Sequence, residues 1–335
     1  MSYASSWKQL VLKSMPDPAW LGPEAPEGDV VLSTRVRLAR NLRGVAFPHN
    51  LSPEGLHQVQ RQVVEAAQRS ELQLELIPVA SRAEREYLLG SHLLSPEFPV
   101  GEPGRVLMLD ASRAVSLMVN EEDHLRLQVL TPGWSLIGAK RLADYVVHQL
   151  GKHLEFAHTP QLGYVTASPQ NCGPGLRASA LVHLVGLAQS RRLKKVLIQC
   201  AEKGIIVRGL YGESSRGVGA FFQLSTVQEL DSNFNAAVEH LISLERRARQ
   251  LIPSAQLEEL SGAALDFAVT QVSLSLADAL RVLAWARWAA TAGLSGWPDY
   301  RALDRFVASL DVQTPGTDED LGRRRAEAIR DCFGR

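Results

Sequence analysis

The stretch SLMVNEEDHLRLQVL (Ser116–Leu130) decides the fold, because it places a cluster of acids between two strand-like segments. An apolar run, Leu117–Val119, precedes the acids, and an alternation of apolar and polar residues, Leu125–Val129, follows them. Such alternation is typical of a half-buried β-strand. The stretch therefore predicts two strands joined by a turn. It leaves open whether the three acids, Glu121–Asp123, cap that turn or line a site.

The rest of the chain has a mixed order of helical and strand periods. Helices are predicted over Ser52–Ser70, over SRAEREYLLG with Ser81 and Glu84 as a capping box, over residues 135–153 and over LRASALVHLVGLAQ. Strands are predicted at RVLMLD, AVSLMV and HLRLQVL, which form an antiparallel run, and at GYVT, KGIIVRGLYG and GAFFQLST. Strand signals stop at about Gln228. We therefore expect two domains, residues 1–227 with a sheet and residues 228–335 all-helical.

Composition and charge exclude several classes of function. Lys+Arg and Asp+Glu each number 36, so the net charge is zero and no global basic field favours nucleic acid or an anionic membrane. The cysteines, Cys172, Cys200 and Cys332, are widely spaced and give neither a disulfide framework nor a zinc signature. The N-terminus is too polar for a signal peptide, and no apolar run reaches membrane-spanning length. We expect a cytoplasmic protein that binds neither nucleic acid nor membrane.

Arginines recur at the ends of predicted strands and helices. They are Arg35, Arg37, Arg126, Arg177 and Arg208. Each alone is typical of a structural role, but planar guanidinium groups together suit bidentate binding of phosphate oxygens. The chain has no GxxxxGK[ST] loop, so a bound polyphosphate would have to be held in this other way. The set therefore predicts a site for a nucleoside triphosphate.

Carboxylates beside such a site would repel the phosphates unless they face a cationic second substrate. A guanidinium compound meets this requirement, and its high pKa makes it a poor nucleophile. Two carboxylates could orient it in a plane, and one could accept its proton as the N–P bond forms. Positioning and charge stabilisation would then supply most of the catalysis, as in phosphoryl transfer generally.

Four blocks resemble, in order and spacing, those of the ATP:guanidino phosphotransferases, the phosphagen kinase family. They are STRVRLARNL, VNEEDHLRL, LGYVTASPQNCGPGLRAS and VRGLYGESS, between about residues 30 and 226. The resemblance implies an α+β fold, in which a catalytic domain with an antiparallel sheet and flanking helices precedes an all-helical C-terminal domain. It also implies that ATP is used with Mg²⁺, and that the phosphates are the main ligands of the metal.

The resemblance also implies roles for individual residues. Glu122 matches the family's catalytic base, and Glu213 matches the second carboxylate that clamps the guanidinium. The positions that match nucleotide contacts are Ser33, Thr34, Arg35, Val36, Arg37, His92, Arg126, Arg177, Ala178, Ser179, Ala180, Leu181, Arg208, Gly209, Leu210, Tyr211, Gly212 and Glu213. Asp123 and His124 are expected to brace the turn, whereas Glu121 would either tune Glu122 through like charge or face solvent.

The order of the segments resembles the protein-arginine kinases of bacteria, because the helical region follows the catalytic blocks instead of preceding them. This implies transfer of the γ-phosphoryl group of ATP to arginine side chains of proteins, marking them for Clp-type proteolysis. Expected partners are protein substrates, a McsA-like activator, a Clp ATPase and a second copy in a homodimer. The alternatives are a kinase for free arginine or another small guanidino compound, and an inactive Clp adaptor that retains the fold.

Several positions depart from the family pattern. Ser168 replaces the family's cysteine in SPQN, and Arg216 replaces an acid that normally follows Glu213. Cys172 stands where an aliphatic residue is usual and is interpreted as a small core residue. The RDxxRA motif of the C-terminal domain corresponds to LGRRRA (Leu321–Ala326), without the leading Arg-Asp, so we expect regulation by phosphoarginine to be weakened or absent.

Overall fold

A computed structural model describes residues 17–77, 79, 82–210, 217–226, 232–310 and 318–334. Within these ranges the strands are β1 Val31–Arg40, β2 Leu74–Ile77, β3 Val106–Asp110, β4 Val115–Val119, β5 Leu125–Pro132, β6 His158–Thr159, β7 Gly163–Tyr164, β8 Leu176–His183, β9 Ile206–Gly209 and β10 Phe221–Ser225. Eight of them form one sheet in the order β2-β3-β4-β5-β1-β8-β10-β9, and every neighbouring pair in it is antiparallel. The strand run β3–β5 is confirmed.

Ten helices flank this sheet in the part of the chain that the structure describes. They are α1 Pro53–Arg69, α2 Arg82–Gly90, α3 Leu136–Gly151, α4 Val185–Gln189, α5 Leu193–Glu202, α6 Ser232–Arg249, α7 Ser254–Thr270, α8 Leu276–Thr291, α9 Tyr300–Ser309 and α10 Asp318–Phe333. The Ser52 hydroxyl accepts a hydrogen bond from the Gly55 amide and so caps α1, as its sequence predicts. The predicted helices over Ser52–Ser70 and residues 135–153 are confirmed, whereas the capping residue Ser81 lies outside the described residues.

The prediction of a helix over LRASALVHLVGLAQ is wrong. Its first eight residues form β8, which pairs with β1 on one side and β10 on the other, and only Val185–Gln189 is helical. Leu176, Ala178 and Ala180 are buried on one side of β8 and Ser179 and Leu181 on the other, so apolar residues face both sides. Such a strand lacks a clean alternation and is not distinguishable from a buried helix by period alone. The predicted strand GYVT is likewise reduced to the two residues of β7.

The two faces of the sheet pack against different layers. One face, which includes Val36, Leu38 and Val129, packs against a layer that includes α1, α3 and α6. The other face, which includes Met118 and Leu181, packs in its apolar parts against a layer that contains α2 and α7–α10. The prediction of an all-helical region after residue 227 is confirmed for the described residues. The regular elements there are the five helices α6–α10. The domain boundary at 227 stays a prediction.

Buried ion pairs connect the C-terminal helices to the segment before β1. Arg287 on α8 donates to Asp304 Oδ1 at 2.6 Å and to the Asp29 carbonyl at 2.7 Å. Arg301 donates to Asp304 Oδ2 at 2.7 Å and to the Gly22 carbonyl at 2.8 Å. The side chains of Arg287 and Asp304 are both fully buried. Asp304 is therefore the shared carboxylate of two buried guanidinium groups.

Among the described residues, no helix has the length and apolar character needed to cross a membrane.

We predict that Asp304→Ala lowers the free energy of unfolding by about 3–5 kcal/mol, because it leaves two buried cations without their carboxylate. The matched control is Asp144→Ala, which removes the exposed partner of Lys140 and is expected to cost at most about 1 kcal/mol. Urea unfolding followed by circular dichroism measures both. Equal losses in the two variants would contradict the role given to Asp304.

Candidate functional site

The acidic turn is held by its first residue. Asn120 has a left-handed backbone, with φ of 60°, and its amide donates to the His124 carbonyl at 2.9 Å. Its side chain donates to the Leu56 carbonyl at 2.9 Å and to the Gly104 carbonyl at 2.7 Å, so the turn is tied to α1 and to the loop before β3. Asparagine is among the few non-glycine residues that adopt this backbone readily. The polar turn is therefore rigid at its entry.

Asp123 and His124 brace the exit of the turn, as predicted. The carboxylate of Asp123 accepts from Asn41 Nδ2 at 2.6 Å and from the Ala167 amide at 2.7 Å. His124 Nδ1 accepts from the Leu42 amide at 3.0 Å, which places the ring proton on Nε2, 2.8 Å from the Ala46 carbonyl. Both side chains are buried, so they fix the backbone and do not meet a ligand directly.

Glu121 faces an arginine and not solvent. Its two carboxylate oxygens each lie 2.9 Å from Nη1 of Arg126, and only 3% of its side chain is exposed. The predicted like-charge coupling is present as well, because Glu121 is among the groups that raise the pKa of Glu122. Glu121 therefore orients Arg126 from within the turn.

Glu122 is the acid of this turn that points outward. Its side chain is exposed at the surface while its neighbours Glu121 and Asp123 are buried. Partial burial raises the pKa of Glu122 above its ordinary value, the charge of Asp123 raises it further, and Arg126 opposes both. A rigidly mounted carboxylate with a raised pKa is suited to accept a proton.

The register places all five predicted arginines on the same face of the sheet. Arg37 on β1 is directly opposite Arg177 on β8, and Arg35 lies two residues away on the same side. Arg126 is opposite Ala39 of β1, two residues beyond Arg37, and Arg208 is opposite Gln223 of β10. Residues directly opposite in antiparallel strands share a face. Four strands, β5, β1, β8 and β9, therefore contribute cations to one surface.

These cations lie close enough to repel one another. Burial, and then the charges of Arg126 and Arg177, lowers the pKa of Arg35 to about 10. Burial and the other arginines also lower the pKa of Arg37, and Glu121 opposes this shift. An arginine remains charged at neutral pH, so the lowered pKa values reflect first the cost of burying these cations and then their mutual repulsion. A bound polyanion would offset the repulsion.

A small cleft lies beside the arginines. It is lined by Ser33, Arg35, His92, Leu130, Ser179, Leu181, Leu210 and Gln223. The His92 ring lies 5.7 Å from the Trp20 ring, and its backbone carbonyl accepts from Gln128 Nε2 at 2.8 Å. Burial and the charge of Arg35 lower the pKa of His92 to about 3, so its ring is neutral at physiological pH.

Some of the predicted nucleotide contacts point away from this face. Val36, Ala178 and Ala180 lie in the core on the opposite side, and the Thr34 hydroxyl donates to the Gly133 carbonyl at 2.6 Å. These residues can reach a ligand on the arginine face only through neighbours. Gly209 and Leu210 are buried at the end of β9, next to exposed Arg208. Tyr211, Gly212, Glu213 and Arg216 lie outside the described residues.

Not every polar residue of the site was predicted from the sequence. Ser225 accepts from Arg177 Nη2 at 2.9 Å, and Gln128 holds the His92 loop. Glu97 is close enough to Arg126 and Arg37 for their charges to lower its pKa, after the larger effect of a hydrogen bond from Ser95. Gln128 could have been found, because it is the next outward position after Arg126 on a strand. Glu97 lies in a turn, where side chains do not follow the regular spacing of a helix or a strand.

The departures Ser168 and Cys172 lie in one loop. The Ser168 carbonyl accepts from the Thr166 hydroxyl at 2.8 Å, and that same hydroxyl lies 3.5 Å from the Cys172 sulfur. Cys172 is only partly buried and follows a 3-10 turn over Pro169–Asn171, so the interpretation of it as a core residue is wrong. The Thr166 hydroxyl therefore lies between the Ser168 backbone and the Cys172 thiol.

Known proteins resemble this chain in sequence. Residues 56–252 match the family described as ATP:guanido phosphotransferase, C-terminal catalytic domain. A protein-arginine kinase of Moorella thermoacetica is 36% identical over 308 residues, covering 87% of this chain and 88% of that protein. The protein-arginine kinase of Bacillus subtilis is 35% identical over 247 residues, covering 70% of this chain and 68% of that protein.

Solved structures have a similar fold. The duplicated taurocyamine kinase of Schistosoma mansoni superposes with a TM-score of 0.59 at 25% identity, covering 69% of this chain and 36% of that chain. A lombricine kinase superposes with a TM-score of 0.56 at 22% identity, covering 70% of this chain and 72% of that chain. The latter likeness concerns the fold alone.

We predict that stability falls on acidification because the partly buried His92 is held in its neutral form. The unfolded chain binds a proton on this ring below about pH 6.5, whereas the native pKa is about 3, so stability is lost as the pH falls through that window. Between about pH 7.5 and pH 5, His92 alone should remove about 2 kcal/mol from the free energy of unfolding. Denaturant unfolding at the two pH values measures this.

Asparagine adopts a left-handed backbone readily, so His92→Asn should retain the conformation of this position, φ 59°. In this variant the loss of unfolding free energy between about pH 7.5 and pH 5 should be smaller by about 2 kcal/mol. The exposed His57→Asn serves as the control and should leave it unchanged. The same pH dependence in His92→Asn and in the wild type would contradict the assignment.

Proposed function

The chain belongs to the ATP:guanidino phosphotransferase family, and from this premise we propose that it is a protein-arginine kinase, which transfers the γ-phosphoryl group of ATP to arginine side chains of proteins. The observation that carries the proposal is the position of Glu122. This exposed carboxylate stands on a braced turn, and the next residue back, Glu121, is paired with an arginine of the cationic face. The carboxylate that would accept the proton and the arginines that would bind the phosphates are thereby held at a fixed separation.

The arginine face supports the nucleotide half of the reaction. The guanidinium groups of Arg35, Arg126 and Arg177 bind the phosphate oxygens, and the base and sugar lie on the side of Arg35 where the small cleft with His92 and Leu210 opens. Charge moves onto the bridging oxygen and the transferred group in the transition state, and fixed cations stabilise it without reorganisation.

The acidic turn supports the guanidinium half of the reaction. A nitrogen of the substrate guanidinium attacks the γ-phosphorus, the new N–P bond forms, and the bond from phosphorus to the β,γ-bridging oxygen breaks to release ADP. Glu122 accepts the proton that this nitrogen loses. Its raised pKa helps, because a proton acceptor is most effective when its pKa is near the working pH. Glu213 would provide the second carboxylate, as the family resemblance implies.

Magnesium is assigned to the nucleotide and not to the protein. Guanidinium groups bind anions and cannot coordinate a cation, and Glu121 is already paired with Arg126. Within the described ranges, no cluster of three or more His, Cys, Asp or Glu side chains could hold a metal ion. Phosphate oxygens and water would therefore be the main ligands of Mg²⁺, which neutralises charge on the phosphates when it is bound.

The cellular role proposed for this activity is the marking of proteins for Clp-type proteolysis in the cytoplasm, with a Clp ATPase and a McsA-like activator as partners and with dimerisation of the chain. Curated relatives that cover most of the chain are named protein-arginine kinases, which favours protein substrates over free guanidino compounds. A kinase for small guanidino compounds and an inactive adaptor remain as outcomes of the tests below.

We predict that the wild type incorporates acid-labile phosphate from labelled ATP into an arginine-rich protein, and that Glu122→Gln lowers kcat by about 100-fold or more. N–P bonds are lost in acid, whereas phosphate esters of serine and threonine survive, so the lability identifies an N-phosphate, and loss of the signal when the substrate's arginines are replaced by lysine assigns it to arginine. Free arginine is assayed in parallel. Phosphorylation of free arginine alone would favour the small-molecule kinase, and ATP binding without transfer to either substrate would favour the adaptor.

We predict that Arg35→Met weakens ATP binding by about 10-fold or more, since charge-assisted hydrogen bonds contribute roughly 1.5–3 kcal/mol each. The same change should raise the free energy of unfolding without ATP, because it removes one partly buried cation from a repelling group. The control Arg43→Met removes an exposed arginine paired with Glu155 and should affect neither quantity appreciably. Calorimetry and denaturant unfolding provide the two readouts. Loss of stability in Arg35→Met would contradict the repulsion.

A further inference from the structure

One loop crosses the arginine face and is fastened to it at three points. The His92 carbonyl accepts from Gln128 on β5 at 2.8 Å, and the Leu93 carbonyl accepts from the Ser116 hydroxyl on β4 at 2.6 Å. The Ser95 amide lies 3.4 Å from the Met118 sulfur, and Met118 is directly opposite Arg126 in the register. Residues 92–95 therefore end beside the arginine that Glu121 orients.

Glu97 lies in the next turn of this loop. Its flanking residues Ser95 and Phe98 are buried, and the Phe98 amide donates to the Ser95 carbonyl at 3.1 Å. The side chain of Glu97 is exposed, and one of its oxygens accepts from the Ser95 hydroxyl at 2.5 Å. The backbone is thus anchored on both sides of a carboxylate that reaches solvent in a defined orientation.

The charges of Arg126 and Glu97 both act on Glu122, and Arg126 also acts on Glu97. The hydrogen bond from Ser95 lowers the pKa of Glu97, and Arg126 and Arg37 lower it further, so the group is ionised at neutral pH. Glu97 is in turn one of the charges that raise the pKa of Glu122. Across the described part of the chain, no cation lies within ion-pair distance of Glu97, and its negative charge is therefore unpaired.

We propose that Glu97 is a substrate-binding carboxylate, which contacts the cationic arginine side chain of the protein substrate beside Glu122; this inference rests on the proposed function. Two like charges on adjacent rigid loops repel each other, and a guanidinium between them would turn that repulsion into attraction. Its planar set of five N–H donors can serve two carboxylates at once. Glu97 would thereby discriminate in favour of cationic substrates, whereas the neighbouring arginines hold the nucleotide.

The test is Glu97→Gln in the full chain, because the amide oxygen still accepts the hydrogen bond from Ser95 and the turn is retained. Steady-state phosphorylation of an arginine-rich protein should show KM for that protein raised about tenfold, with kcat within about twofold and KM for ATP not raised. Glu75→Gln, which removes an exposed acid on the edge strand β2, is the matched control and should behave as wild type. A bracing role alone would leave KM unchanged.

A second readout needs no turnover. Calorimetry measures binding of an arginine-containing peptide in the presence of a non-hydrolysable ATP analogue, and Glu97→Gln should weaken it about tenfold. Peptide affinity equal to wild type would overturn the role of Glu97 alone. Peptide binding to the wild type without any phosphorylation would overturn the proposed function alone, since the effect of Glu97 is still measured. Absence of peptide binding to the wild type would overturn both.

Discussion

Mutual repulsion among arginines on one face of a sheet is the constraint on which the rest of the structure depends. Arg35, Arg37 and Arg177 are partly buried there, and each has its pKa lowered by burial and by the other cations. Such a group persists in a folded protein only if the scaffold is rigid enough to resist relaxation. Central strands packed on their reverse side by an apolar core provide that rigidity, because β1 and β8 are paired along their length.

The acidic turn is the complement of that cationic face. Four of its polar residues have separate tasks: Asn120 sets the backbone, Asp123 fixes the exit, Glu121 orients Arg126 and Glu122 is left for chemistry. Because the other three are held by hydrogen bonds or an ion pair within the protein, the position of Glu122 relative to the arginines does not depend on a ligand. Catalysis by positioning requires this kind of preorganisation, since misplacement by an ångström is costly.

Of the four strands that carry the arginines, the sequence predicted β5 and β9 but neither β1 nor β8. The alternation in β5 identified that strand, because a period of two survives where one side is polar. The prediction failed at β8, where apolar residues lie on both sides and only pairing with β1 and β10 decides the conformation. Glu97 could not be predicted, because its position depends on loop contacts between residues distant in sequence.

Arginine, and not lysine, is suited to this arrangement. A lysine buried among like charges would lose its proton, since its pKa shifts readily on burial, whereas a guanidinium retains its charge. A face built from arginines therefore keeps its affinity for phosphate even when it is desolvated. The same property makes an arginine substrate hard to activate, because its nitrogen must lose a proton that it holds tightly. The same fold then needs a face on which its own guanidinium groups stay charged. It also needs a carboxylate, such as Glu122, that can take a proton from the guanidinium group of the substrate.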